Sequence, residues 1–270
     1  MIVDGKKIAE EIFFDLEIER ARFDRDLFLG ILATGNNAVI DSFVRIKERA
    51  AERLQVTLVR ESITEEMTAD EVELMIADLA GRTDGIIVQL PLPIGMDTDG
   101  VLAAIPREKD ADGINPLTLE PERIARAPVV EAIREILQRN GIDVESRKAC
   151  VVGAGRLVGK PAALWLKHEG ADVRVITDVE SSREELQNAD IIVSGAGEPG
   201  LIKPDMIKEG CVLIDAGTSE AGGRIAGDAD PACAAKCSLF TPVPGGVGPI
   251  AVAMIFKNLF ALIRNKEEKA

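Results

Sequence analysis

Val151-Val152-Gly153-Ala154-Gly155-Arg156-Leu157-Val158-Gly159-Lys160-Pro161 is the stretch on which the fold turns. A short apolar strand over 149–152 runs into three glycines, and a helical pattern opens at 157. Glycines there let the turn tighten and let the backbone approach a pyrophosphate, whose charge then sits at a helix N-terminus. The third glycine falls one place later than in G-x-G-x-x-G, so a strand–helix turn with purely structural glycines is the competing reading. Asp178, 25 residues after Gly153 and just past a second strand at 173–177, stands where an acidic side chain can accept from an adenosine ribose hydroxyl. A carboxylate there repels a 2′-phosphate and favours NAD over NADP; an ordinary loop aspartate is the alternative. Arg156 or Arg174 would counter the repulsion if either reached the phosphate.

Outward from this motif, apolar runs alternate with helical periodicity. Towards the N-terminus the pattern gives a helix over 5–22 with Asp4 as N-cap, a strand at 27–33, a helix over 38–54, a strand at 56–59, a helix over 69–79 and a strand at 85–90. Pro91-Leu92-Pro93 stops that strand, short helices follow at 99–105 and 128–140, and Gly141 marks a domain boundary. Beyond it come strands at 149–152, 173–177, 190–194 and 211–215, a Gly/Pro-rich segment at 241–249 and a helix over 250–264. Strands spaced by helices of this length imply βαβ units, parallel sheets and an α/β fold of two lobes.

Composition narrows the function classes. With 32 basic against 46 acidic residues the net charge is −14, and no Lys/Arg stripe interrupts it, which argues against nucleic acid or an anionic membrane as partner. The apolar runs at 85–90 and 250–256 are far short of a membrane span, and residues 1–7 hold no apolar signal core. Cys150 and Cys211 sit in apolar, strand-like segments, as buried thiols of a reducing, cytoplasmic compartment do. Cys233 and Cys237 could share a helix face, but no histidine stands near to complete a metal site, so no metal is expected. The single histidine, His168, fits the last turn of a helix ended by Gly170 and there complements the helix dipole. A Ser-His-Asp triad or a multi-histidine zinc site would lean on that one residue, so both classes fall away.

Polar residues at strand ends and loop crests are the candidate site. Phe43 and Lys47 are four apart on one helix and share a face with Val39 and Ala50; Lys47 either snorkels or is a reactive amine aimed into a cleft. Gln89 lies near the end of a buried strand and needs a partner. Asp110 and Asp112 precede Gly113 in a loop, where turn formation alone could explain either. The segment 241–249 sets three prolines among three glycines, either lining a ligand with backbone or acting as a hinge.

Four stretches together, Gly85-Ile-Ile-Val-Gln89-Leu-Pro-Leu-Pro93, Lys109-Asp-Ala-Asp112-Gly113, the glycine turn quoted above, and Thr241-Pro-Val-Pro-Gly-Gly-Val-Gly-Pro249, resemble in order and spacing the methylenetetrahydrofolate dehydrogenase/cyclohydrolase family, over nearly the whole chain. The resemblance implies a folate-binding catalytic domain at 1–140, completed by a C-terminal helix at 249–270 that packs back on it, and a Rossmann-like NAD(P)-binding domain at 141–248. It implies a catalytic Lys47, held by Gln89, and an Asp112 that hydrogen-bonds the pterin. Phe43, Pro244, Gly245, Gly246, Gly248 and Pro249 would line the folate pocket. Gly153, Ala154, Gly155, Arg156, Leu157, Val158, Asp178 and Thr218 would hold the dinucleotide. The family expectation is NADP, a homodimer, a cytoplasmic location and a role in one-carbon metabolism.

The chain also departs from the family pattern. Phe43 stands where the family usually has tyrosine, so stacking is kept but no phenol can relay a proton. Gly153-Ala154-Gly155 replaces a usual Gly-Arg-Ser, and Asp178 a usual serine, which leaves NAD open as cofactor. The Pro-Cys-Thr-Pro-like stretch is shortened to Ile124-Ala-Arg-Ala-Pro-Val-Val130. The expected chemistry is oxidation of methylenetetrahydrofolate at a cleft between the lobes and then hydrolysis of the methenyl product. A dehydrogenase-only folate enzyme, a shikimate-type dehydrogenase and a non-catalytic nucleotide sensor are the rivals.

Overall fold

In the computed structural model, residues 1–35, 38–119, 122–221 and 224–269 are described, and they divide into two units. One comprises Glu11–Pro128 with Val252–Ala270, the other Met1–Glu10 with Val129–Ala251. Along the chain run α1 (Gly5–Arg20), β1 (Leu27–Thr34), α2 (Ala38–Arg53), β2 (Val56–Ile63), α3 (Ala69–Arg82), β3 (Gly85–Gln89), α4 (Thr98–Ala103) and α5 (Pro128–Arg139). They are followed by β4 (Lys148–Val152), α6 (Gly159–His168), β5 (Asp172–Ile176), α7 (Arg183–Asn188), β6 (Ile191–Ser194), β7 (Val212–Asp215), β8 (Ser219–Ala221), β9 (Arg224–Ala226), β10 (Leu239–Phe240) and α8 (Val247–Glu267).

In the unit built on Glu11–Pro128, the sheet order is β2-β1-β3 and every pairing is parallel. β1 is central and almost continuously buried, as its unbroken apolar run demands. β2 is longer than the pattern suggests, extending through Arg60, Glu61 and Ser62, because β1 continues to pair with it through Thr34. As an edge strand it leaves Thr57, Arg60 and Ser62 exposed and Glu61 half-buried, so charges inside it are tolerated. Thr68 caps α3 in a reciprocal capping box with Glu71. Gly30 lets that helix lie close on the sheet, since a Cβ there would sit 2.6 Å from the Leu79 side chain.

The other unit carries the order β10-β7-β6-β4-β5, again all parallel. In chain order this is the 2-1-3-4-5 arrangement of doubly wound folds, which reverses direction at its first strand. β4, β6 and β7 are buried along most or all of their length. α5 opens on Pro128, whose missing N–H falls in the unpaired first turn. It ends at Gly141, φ +63°, with the Ile142 N–H returning to Leu137 O at 3.0 Å. α7 and the β8–β9 hairpin fall where the sequence pattern assigns no element; both are short and polar, so no apolar period marks them. α8 is the one helix among the described residues long and apolar enough to cross a membrane, which the shorter run at 250–256 does not reveal. It buries 61% of its apolar window, including Phe256 and Phe260, as a core helix does.

Candidate active site

Order 2-1-3 places a change of winding direction between β1 and β3, and ligands bind outside the C-terminal ends of strands at such a point. Gln89 is the last residue of β3. Its Nε2 donates to Leu90 O at 3.0 Å, which turns Oε1 outward to accept from Lys47 Nζ at 2.8 Å. Lys47 is half-buried on α2, one turn beyond the half-buried Phe43. Ala50 on the same helix is buried; the side chain of Val39 lies outside the described residues. Burial lowers the Lys47 pKa, and the Asp112 carboxylate opposes part of that fall. Burial likewise pushes the Asp112 carboxyl up to about 6, against the pull of the Lys47 ammonium and with a push from Asp110. The structure therefore brings Lys47, Gln89 and Asp112 together as a lysine with an oriented acceptor and a carboxylate within electrostatic reach.

The loop that carries Asp112 is held from both sides. Asp110 is buried and accepts the N–H groups of Ile114 at 3.1 Å and Asn115 at 2.8 Å. Burial raises its pKa and these backbone donors oppose the rise. Asn115 reaches back to Ile105 O at 2.7 Å, and Arg123 donates to Gly113 O at 2.6 Å and Asn115 O at 3.1 Å. Gly113 has φ +58° and a Cβ there would meet Ala125 O at 2.7 Å, so no other residue fits. Asn258 of α8 donates to Ala111 O and Arg126 O, both at 2.8 Å. Sequence reading passes over Asn115, Arg123 and Asn258; for Asn258 the trace is one amide in a strongly apolar helix.

The glycine turn sits at the C-terminal end of β4, at the change of winding direction between β4 and β6. Gly153 has φ +92°, and a Cβ on it would lie 2.9 Å from Gly195 O. A Cβ on Gly159 would fall 2.0 Å from Gly153 O, so this third glycine permits the helix to start against the turn. α6 accordingly opens at Gly159, two residues later than expected, because residues 156–158 form the turn itself. Gly155 has no such close neighbour, its Cβ position being 3.7 Å from Gly195 O. Ala154, Gly155 and Leu157 are exposed, while Arg156 and Val158 are half-buried. The two packed glycines thus set the exposed backbone of Ala154 and Gly155 ahead of a helix N-terminus, an arrangement that fits a dinucleotide pyrophosphate. Asp178 is exposed beyond β5, and its Oδ1 accepts from Glu180 N at 3.1 Å and Ser181 N at 3.2 Å, bonds that lower its pKa. Thr218 is exposed just after β7.

Residues 244–249 belong to this second unit, with the glycine turn. The Gly5 N–H donates to Gly245 O at 2.9 Å, and a Cβ on Gly5 would lie 1.8 Å from Gly246 O. α8 begins at Val247, three residues before the expected start, so Gly248 and Pro249 lie in its first turn rather than in the loop. Proline is tolerated there because first-turn N–H groups have no intrahelical partner. The shared helix face expected of Cys233 and Cys237 is not formed: Cys233 lies in a short 3-10 helix, Pro231–Ala235, and Cys237 beyond it, 3.7 Å from the Cys211 sulfur. Among the described residues no group of three or more His, Cys, Asp and Glu could hold a metal ion. His168 closes α6 and is exposed, with Gly170 at φ +85°.

These features define a two-unit α/β enzyme that combines a lysine–carboxylate site with a dinucleotide-type sheet. The family model for the tetrahydrofolate dehydrogenase/cyclohydrolase catalytic domain matches residues 3–112, and that for the NAD(P)-binding domain of the same family matches residues 127–267. The chain belongs to this family. It is 36% identical over 271 residues to the bifunctional protein FolD of Halothermothrix orenii, covering 95% of both chains. The crystal structure of the bifunctional FolD enzyme of Campylobacter jejuni superposes with a TM-score of 0.89 at 31% identity, over 98% of this chain and 99% of that one. The Trypanosoma brucei methylenetetrahydrofolate dehydrogenase-cyclohydrolase, solved with NADP and an inhibitor, gives a TM-score of 0.91 at 29% identity, over 99% and 98%. The α/β fold with separate catalytic and NAD(P)-binding domains agrees with the sequence reading, and the shikimate-type alternative is not favoured.

Proposed function

We propose that the chain oxidises 5,10-methylenetetrahydrofolate to the methenyl form with reduction of NADP, and hydrolyses the methenyl form to 10-formyltetrahydrofolate at the same folate site. The observation that carries this reading is the 2.8 Å bond from the half-buried Lys47 amine to an amide acceptor at the tip of β3, within electrostatic reach of Asp112. A bound nicotinamide supplies the hydride acceptor for the first reaction. The turn at 153–158 and Thr218 would hold the dinucleotide, and Asp112 would accept N–H bonds from the pterin while Phe43 offers it a flat apolar surface.

In the second reaction water adds to the methenyl carbon, the ring opens, and one proton must leave. A neutral amine at Lys47 can take that proton. Burial favours the neutral form, and Gln89 fixes where the lone pair points by accepting one of the amine's own N–H bonds. With Phe43 in place of a phenol, the proton passes between water and Lys47 without a tyrosine hydroxyl. Lys47→Met keeps bulk and apolar packing, so folded variant should lose methenyl hydrolysis by at least about a hundredfold. Hydrolysis retained in folded protein would overturn the assignment.

The preference for NADP rests on the NADP-bound relative; Asp178 is the residue that speaks for NAD. Its carboxylate is already occupied by two turn N–H groups, which is the work of a loop aspartate. Side-by-side turnover with NAD and NADP decides the preference. We further read the chain as a cytoplasmic homodimer. Support comes from four free, buried cysteines and from β5, an open sheet edge with Val175 exposed, which proteins generally cover. Sedimentation of the purified chain tests the dimer.

A further inference from the structure

Two carboxylates at the C-terminal edge of the five-stranded sheet are buried and have no role in the reaction described above. Asp228 is 0% exposed and Asp215 1%, and neither has a salt-bridge partner among the described ion pairs. What they hold is backbone and one hydroxyl. Asp228 Oδ2 accepts from Ser194 Oγ at 2.6 Å and Ala196 N at 2.7 Å, and its Oδ1 accepts from Glu198 N at 2.8 Å. Asp215 Oδ1 accepts from Gly217 N at 2.9 Å and Asp228 N at 3.2 Å, and its Oδ2 from Ala229 N at 2.8 Å. Asp215 thus fixes the backbone that carries Asp228. The approach is close enough to exclude side chains: a Cβ on Gly217 would lie 2.2 Å from the Asp228 carboxylate, and one on Gly227 2.2 Å from Asp215 Oδ2.

The loop that Asp228 holds is the wall against which the glycine turn is seated. A Cβ on Gly153 would lie 2.9 Å from Gly195 O and 3.0 Å from Ala196 Cα, and one on Gly195 would lie 2.4 Å from the Val158 side chain. Both loops stand where the sheet reverses its winding, between β4 and β6. We propose that Asp228, fixed in turn by Asp215, is a positioning residue for the dinucleotide: it clamps residues 194–198 so that the turn at 153–158 keeps the shape that receives the pyrophosphate. The inference rests on the dinucleotide reading of that turn and adds to it the group that sets its geometry. No contact between Asp228 and the cofactor is required.

Asp228→Asn tests the clamp. A backbone N–H meets each carboxylate oxygen, so the new amide NH2 faces a donor whichever way it turns, and the loop must shift to relieve it. Leaving one buried donor unpaired in this way corresponds to roughly a tenfold or greater loss of affinity, read as the Kd for NADP by calorimetry and as the KM for NADP in the dehydrogenase reaction. Methenyl hydrolysis, in which no dinucleotide takes part, reports the correctly folded fraction and should fall far less than NADP affinity. Ser194→Ala removes one bond and leaves the backbone bonds in place, so it should weaken NADP binding in the same direction by a smaller factor. If Asp228→Asn does not fold, Ser194→Ala decides. Unchanged NADP affinity in a folded variant, or hydrolysis falling in parallel with NADP affinity, overturns the inference. Wild-type protein that binds neither NADP nor NAD would instead overturn the dinucleotide reading itself.

Discussion

Replacing Asp112 by asparagine should abolish activity and stabilise the protein at neutral pH. Burial is the largest cause of the Asp112 shift, from the ordinary 3.8 to about 6. A carboxyl raised on folding is bound to its proton in the native state over a range where the unfolded chain has already released it. The stability associated with the protonated form is therefore full below 3.8 and lost as pH rises through about 6. At 1.36 kcal/mol for each pH unit, that loss amounts to about 3 kcal/mol above pH 7. The opposing pull of the Lys47 ammonium is already contained in the value. Asparagine has nearly the same shape and carries no charge, so it avoids the loss at every pH. Urea unfolding of both proteins at pH 4 and pH 7.5 should show nearly equal stability at the lower pH and an advantage for Asp112→Asn of up to about 3 kcal/mol at the higher. Both folate reactions should be lost, because the amide cannot replace an anionic acceptor for the pterin. A variant equally or less stable at pH 7.5, or a difference that does not change with pH, would refute the argument that the site holds a carboxylate destabilised by burial.

Gln89→Leu should leave the Lys47 amine without its acceptor and reduce methenyl hydrolysis by at least about tenfold, measured as the decay of methenyl absorbance in protein whose far-ultraviolet spectrum is unchanged. Gly159→Ala places a Cβ where Gly153 O already lies, 2.0 Å away, and should lose NADP binding in a calorimetric titration; normal affinity would show that the turn tolerates displacement. Asp178→Ser should leave the NAD-to-NADP ratio of kcat/KM nearly unchanged if the carboxylate serves only its turn, and a shift towards NADP would return it to the ribose. Thr68→Ala removes the α3 capping box and should cost about 1 kcal/mol in urea unfolding with no change in either reaction.

Much of this molecule can be read without coordinates because its deciding features are local. β1, β3 and β4 are apolar except for one polar residue at an end of each (Thr34, Gln89 and Lys148), and the glycine turn, Pro91-Leu92-Pro93 and Gly141 punctuate the chain within a few residues of where the elements end. Lys47, Gln89 and Asp112 stood out as polar residues near strand ends and loop crests, but their selection as one set came from the family resemblance, since snorkelling and turn formation explained Lys47 and Asp112 equally well. Local pattern fails where the stabilising contact is distant. The charged end of β2 is a strand only because β1 pairs with it.

On its own, then, the amino-acid order determined the class of fold and the position of the glycine turn, because periodicity, glycine and proline act over a few residues; the folate site followed from the family resemblance. Tertiary structure alone decided the rest. It turned Lys47 from a lysine free to snorkel on an apolar face into one bonded to an amide 42 positions away, and it tied the Asp112 loop to an asparagine 147 positions from Ala111. It also joined Asp228 to Ser194 across 34 positions. Buried polar groups must find partners wherever the fold supplies them, and no local pattern records which partner that is.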